Sequence, residues 1–141
     1  MIAYFDTSAI VPLLVAEPGS ARAASLWDGA DRVVSARVAY PEGRAALAHA
    51  QRLGRLTSRQ LRIAVTDLDI WFDQVDVMEI DERLAHRAGE LAEAHRLRGY
   101  DAVHLAAAER LGDGPDLVVV AGDGALLKAA SAEGIAVAAI G

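Results

Sequence analysis

The chain has 141 residues, no cysteine and a formal net charge of -6. That length suits one domain, spanning 1–141, whose core forms by burial alone, and the missing thiols exclude cysteine catalysis, thiolate metal ligands and a disulfide framework. Its apolar runs fall far short of the roughly 18 residues that span a bilayer, and residues 1–6 lack the basic start and long apolar stretch of a signal peptide, so a soluble cytoplasmic protein without membrane contact is expected.

The first apolar run, 2–6, reads as a strand closed by Asp6. A helix follows from Thr7 or Ser8, whose hydroxyls can cap its free N–H groups, and ends near Glu17-Pro18-Gly19, with Pro12 early enough to be tolerated. A helix at about 20–29, a short strand at 33–36 and a helix at 41–53 come next, the last opened by Pro41 and ended by Gly54. Thr57 or Ser58 caps a helix carrying Leu61, Val65, Leu68 and Phe72 at helical spacing, and 75–80 reads as a third strand shielded by alternate acids. Asp81 caps a helix to about Arg96, Gly99 breaks it, and a helix runs from Asp101 to Leu111. A turn at Gly112 to Pro115 leads to the strand of Leu117 to Val120, then a helix at about 124–133 ended by Gly134 and a strand at 135–139. Strands that alternate with helices and lack polar alternation indicate a parallel sheet covered on both faces, an α/β/α sandwich of about five strands.

Four carboxylates fall at the ends of apolar runs: Asp6 and Asp123 after strands, Glu42 and Asp101 near helix starts. In an open α/β sheet these are the same edge, where ligands collect beyond the carboxyl ends of the strands. Each acid alone has a plainer explanation, as a helix cap or a turn residue. Together, without cysteine or a histidine triad, they suit a hard cation such as Mg²⁺ or Mn²⁺ rather than zinc. A cation among carboxylates can turn water into a nucleophile and neutralise charge on a phosphate, which is phosphodiester hydrolysis. His104, one turn after Asp101, fits either a base or a hydrogen-bonded residue behind the site, the second being the simpler reading. His49, His86 and His95 read as surface or partly packed, and Trp27, Trp71 and Phe72 as core or interface.

Thirteen arginines against one lysine and 30 alanines point to a GC-rich coding sequence, so arginine placement matters more than number. Residues 43–66 hold Arg44, Arg52, Arg55, Arg59 and Arg62 with no acid, whereas 67–82 hold seven acids with no base. The basic stretch can follow a phosphate backbone, with Arg52, Arg55, Arg59 and Arg62 as the contacts, or it can be a solvated helix face.

Asp6-Thr7-Ser8-Ala9-Ile10-Val11-Pro12-Leu13 resembles the opening motif of PIN-domain nucleases, and Gly99-Tyr100-Asp101-Ala102-Val103-His104-Leu105-Ala106-Ala107-Ala108 resembles the central motif of the VapC toxins among them. With Glu42 between them and Gly122-Asp123-Gly124-Ala125-Leu126-Leu127 near the end, the similarity runs in order through the whole chain. The resemblance implies a PIN-like fold and a Mg²⁺-dependent endoribonuclease, the toxin of a type II pair inhibited by a VapB-like antitoxin. Asp6, Glu42, Asp101 and Asp123 match the family's acidic quartet, as catalytic residues and metal ligands, and Ser8 matches the hydroxyl residue beside the first aspartate, which makes it an auxiliary catalytic residue. Ala121 departs from the threonine or serine usual two residues before the last aspartate. The implied antitoxin covers the acidic site and fills an apolar groove between the early helices, for which Ile10, Leu13, Leu14 and Trp27 are candidates unless they are core. A homodimer is the expected assembly.

Two rivals stand beside this reading. A housekeeping PIN nuclease would process RNA without an antitoxin. A phospho-receiver module is also α/β and uses Mg²⁺, but it needs an acidic pair after the first strand, a phospho-acceptor aspartate after the third and a late lysine. Here Asp6 is single, the third strand ends in Ile80-Asp81-Glu82, and Lys128, the one lysine, lies within a helix.

Overall fold

Alternation along the first strand decides the layering. In the computed structural model, which describes residues 1–112 and 116–141, strand β1 (Ile2–Phe5) sends Ala3 and Phe5 into one core cluster and Tyr4 into another. Successive strand residues face opposite sides of a sheet, so a strand buried on both faces must be apolar throughout. The chain continues through α1 (Thr7–Leu14), α2 (Ser20–Gly29), β2 (Arg32–Ala36), α3 (Ala39–Arg52), α4 (Ser58–Gln74) and β3 (Asp76–Met78). It then forms α5 (Glu82–His95), α6 (Gly99–Arg110), β4 (Leu117–Ala121), α7 (Gly124–Ala132) and β5 (Ala136–Ala139). The strands pair in parallel in the order β3-β2-β1-β4-β5. Helices α1 to α4 supply the core on one face and α5 to α7 on the other. This is the α/β/α sandwich expected from the sequence, with five strands. No helix among the described residues is long and apolar enough to cross a membrane.

Strand order reverses between β1 and β4, since the chain steps from β1 outward through β2 to β3 and then returns to the other side of β1. Such a reversal opens a crevice beyond the carboxyl ends of the two strands. Asp6 follows β1 and Asp123 lies two residues past β4.

Several boundaries differ from the sequence reading, each for a local reason. Helix α1 passes Pro12, which has no N–H for the Ser8 carbonyl, and stops two residues later at Leu14. Helix α3 begins at Ala39, before Pro41, which still lies in the first turn where no N–H is required. Strand β3 ends at Met78 rather than at 80, because its partner β2 offers only Arg37, whose N–H reaches the Met78 carbonyl at 2.9 Å, and nothing beyond. Gly99 opens α6 instead of breaking α5; the break is Arg96, left-handed at φ 55°. Thr57 and Gln60 form the full reciprocal cap of α4, and Asp81 caps α5 as expected. The turn expected at Gly112 to Pro115 lies, apart from Gly112, outside the described residues.

Candidate active site

Asp6 is the first residue beyond β1 and is 3% exposed. It holds the N-cap position of α1, yet its side chain makes no capping bond; the cap is left to its backbone carbonyl, which accepts from Ala9 and Ile10 N–H. Thr7 and Ser8, expected as caps, point their hydroxyls elsewhere. Ser8 Oγ donates to Asp6 Oδ1 at 2.7 Å and accepts the Gly122 N–H at 2.7 Å. Thr7 Oγ1 donates to Glu42 Oε1 at 2.8 Å. The capping carboxylate here is Asp123, whose Oδ1 accepts from Ala125 N–H at 2.9 Å.

Glu42 stands in the first turn of α3, and Asp101 is the third residue of α6 rather than its opening residue. The structure therefore brings all four acids to one end of the sheet, where their charges act on one another. Burial pushes the Asp6 carboxyl up to about 6, and Asp123 and Glu42 add to the rise against the opposing pull of His104 and Ser8. Burial, then Asp123, raises Asp101 from its ordinary value, while Arg98 at 3.7 Å pulls it down. Glu42 behaves oppositely: burial would raise it, but bonds from His104 and Thr7 outweigh burial and hold it low.

His104 lies behind these acids, 1% exposed. Its Nε2 is 2.7 Å from Glu42 Oε1 and its Nδ1 is 2.7 Å from the hydroxyl of Tyr4, which is fully buried. The hydrogen-bonded role behind the site is thus the one the geometry favours. Tyr4 was not a candidate in the sequence. A polar-tipped residue in a four-residue apolar strand, two positions before Asp6, is the signal that marks it.

The donor set fits a hard divalent cation. Asp6, Asp101 and Asp123 offer carboxylate oxygen only, and among the described residues no lysine or arginine pairs with Asp6 or Asp123. Burial and the neighbouring carboxylates together raise the proton affinity of Asp6 and Asp101, a charge cost that a bound cation would relieve. Among the described residues no three acidic or imidazole side chains are already drawn into a closed ligand shell. Asp101 and Asp123 lie against one another, and Glu42 has one oxygen committed to His104 and Thr7.

The arginines form a separate feature. Arg52, Arg55, Arg59 and Arg62 are exposed and cluster where α3 turns into α4. Arg52 ends α3, about 15 Å along the helix from Glu42 at the usual rise per residue, so the basic patch begins well away from the acids. Arg55 is paired with Glu17 at 3.4 Å. Among the groove candidates Ile10 belongs to the core, fully buried, while Leu13, Leu14 and Trp27 line a groove with Ile70 and Trp71. Trp71 and Phe72 pack with Phe5 in the core, and His49 and His86 lie on the surface.

A family model described as the PIN domain matches residues 3–131. The chain is 47% identical over 137 residues to Ribonuclease VapC45 and to Ribonuclease VapC49 of Mycobacterium tuberculosis, covering 97% of this chain and 94% of each relative. Its fold is similar to that of PAE2754 from Pyrobaculum aerophilum, with a TM-score of 0.72 at 23% identity over 97% of this chain and 83% of that one. DNA-bound VapBC from Salmonella typhimurium gives a TM-score of 0.65 at 18% identity, covering 100% of this chain and 99% of that one.

Proposed function

The chain belongs to the PIN domain family and, within it, to the VapC ribonucleases, and from that premise we propose that it cleaves RNA at the crevice between β1 and β4. Asp6 and Asp101 are the principal ligands of a divalent cation, Mg²⁺ or Mn²⁺, and Asp123 and Glu42 complete the site. The cation, when bound, supplies an activated water and neutralises the charge that grows on the phosphate. Ser8 holds one Asp6 oxygen and leaves the other to the crevice. Asp123 is fixed by its bond to the first turn of α7, which keeps its carboxylate beside Asp101.

The observation that carries this reading is Asp6: a carboxyl buried at the strand-order reversal, spared from capping, without a lysine or arginine to pair with among the described residues and repelled by Asp123. Isolated buried charge of that kind is costly unless something cationic binds. The test is RNA cleavage by purified Asp6→Asn and Asp101→Asn with Mg²⁺ present. Loss of cleavage in both folded variants is expected, and wild-type rates in either would reject the assignment.

As a VapC-type toxin it is held inactive by an antitoxin, whose apolar residues occupy the groove of Leu13, Leu14, Trp27 and Trp71. Expression alone should arrest growth, and co-expression of a small neighbouring gene should relieve the arrest. Arrest that no neighbour relieves would favour an RNA-processing nuclease without an antitoxin. Exposed Arg52, Arg59 and Arg62 hold the RNA backbone away from the cleavage point, with Arg55 beside them.

A further inference from the structure

Four elements contribute to one hydrogen-bonded line behind the acidic cluster. Tyr4 of β1 meets His104 Nδ1 of α6 at 2.7 Å, His104 Nε2 meets Glu42 Oε1 of α3 at 2.7 Å, and Thr7 of α1 donates to the same Oε1 at 2.8 Å. Nε2 also lies 3.4 Å from Thr7 Oγ1. The Tyr4 and His104 rings meet edge to face, with centroids 5.8 Å apart, so the imidazole is held by packing as well as by its two nitrogens.

Proton placement along this line is constrained. An ionised carboxylate only accepts, so Nε2 must carry the hydrogen that points to Glu42. Nδ1 of the neutral ring then accepts from the Tyr4 hydroxyl, and Nδ1 of a charged ring would donate to it; the Nε2–H remains in place either way. Both donors to Glu42 converge on Oε1, and Oε2 has no hydrogen-bond partner among the described residues. A histidine that merely filled the core would need its nitrogens satisfied, but nothing would require one of them to be satisfied by an acid of the site.

Granted the cation site proposed above, on which this rests, we propose that His104 and Tyr4 are positioning residues that pin Glu42 by Oε1 and so present Oε2 to the cation. They touch neither substrate nor cation. Their effect passes through Glu42, in the way that partners behind a metal ligand orient it.

Calorimetric Mn²⁺ binding, with unfolding midpoints measured on cation-free protein, tests this. His104→Leu is expected to weaken Mn²⁺ binding by about 10–100-fold and to lower the midpoint, because the buried Tyr4 hydroxyl loses its partner. Tyr4→Phe/His104→Leu removes that orphaned group and should recover the midpoint without recovering Mn²⁺ affinity. His104→Gln, whose amide N–H has a reach similar to that of Nε2, should recover most of the affinity. In a Glu42→Gln background the His104 substitution should have no further effect. Wild-type Mn²⁺ affinity in the folded double variant, or an undiminished effect of His104→Leu without the Glu42 carboxylate, overturns the proposal while leaving the cation site standing. Absence of Mn²⁺ uptake by the wild-type protein removes the cation site itself and the proposal with it. Should neither leucine variant fold, Tyr4→Phe decides: weaker Mn²⁺ binding only when Glu42 is present supports the relay, and an equal effect in both backgrounds overturns it.

Discussion

Ser8 Oγ donates to Asp6 Oδ1 at 2.7 Å while accepting the N–H of Gly122 at 2.7 Å, so a single hydroxyl ties the end of β1 to the end of β4. Asp6 and Asp123 thereby keep a fixed separation across the crevice, although Ala121 contributes no hydroxyl there. Ser8→Ala removes the one neutral donor that favours ionised Asp6, and its carboxyl rises further. RNA cleavage by this variant should fall by about tenfold, at the low end for the partner of a metal ligand. The loss should be larger at pH 6 than at pH 8, and Ser8→Thr should retain most activity. A pH profile parallel to that of the wild type would show that the hydroxyl does not act through Asp6.

Asp6 also makes the cation-free fold sensitive to pH. Its carboxyl is raised from 3.8 to about 6, so the folded chain binds this proton more tightly than the unfolded chain. Stability from this group is complete below about pH 4 and is lost as the pH rises to about 6, leaving a penalty of about 3 kcal/mol above that at roughly 1.4 kcal/mol per unit. Asp101, also raised, acts in the same direction. Asp6→Asn keeps an acceptor for Ser8 and removes the charge. In EDTA the wild-type unfolding midpoint should decline across that window, and Asp6→Asn should be the more stable protein at pH 7. A less stable Asp6→Asn at pH 7 in EDTA would contradict the raised Asp6.

How far the site was legible depends on distance in the chain. Asp6 could be read because it closes a four-residue apolar strand, and Asp123 because it follows β4; both are local patterns, whereas the strand order that sets them side by side comes from the structure. The role of Thr7 was not legible, and that of Ser8 was legible only through the resemblance that set it beside Asp6. A hydroxyl after a strand can cap its own helix or reach across the sheet end, and the choice depends on Glu42 and Gly122, which approach only when α3 and β4 pack. The bond between His104 and Glu42 spans 62 positions and requires α3 and α6 to meet over the sheet edge, for which periodicity holds no signal. The basic run was legible as a run, but its displacement from the acids follows from the length of α3.

For the proposed cation site, the oxygen-only donors Asp6, Asp101 and Asp123 favour Mg²⁺ or Mn²⁺. Chelation should abolish cleavage, and Mg²⁺ or Mn²⁺ should restore it. Zn²⁺ should not restore it, because the imidazole behind the acids has no nitrogen to spare: both ring nitrogens of His104 are engaged, with Tyr4 and with Glu42. Added Mn²⁺ should raise the unfolding midpoint of the wild-type protein and leave that of Asp6→Asn nearly unchanged, since only the first carries the full charge deficit. Equal stabilisation of both would place the cation elsewhere.

On the RNA path proposed above, the arginines at the α3 to α4 turn would separate backbone binding from cleavage. Arg52, Arg59 and Arg62 are exposed, and Arg52 lies about 15 Å along α3 from Glu42. An RNA that runs from this patch to the crevice would place several phosphates between the two. Replacing the three by glutamine should therefore weaken RNA binding and reduce the slope of log affinity against log salt by about 0.7 for each single-strand phosphate no longer neutralised. Cleavage at saturating RNA should stay close to wild type, because the acids are untouched. Arg55, already paired with Glu17 at 3.4 Å, should contribute less than its neighbours when changed alone. An unchanged salt slope in the triple variant would move the RNA path off this helical turn and make the patch a solvated surface.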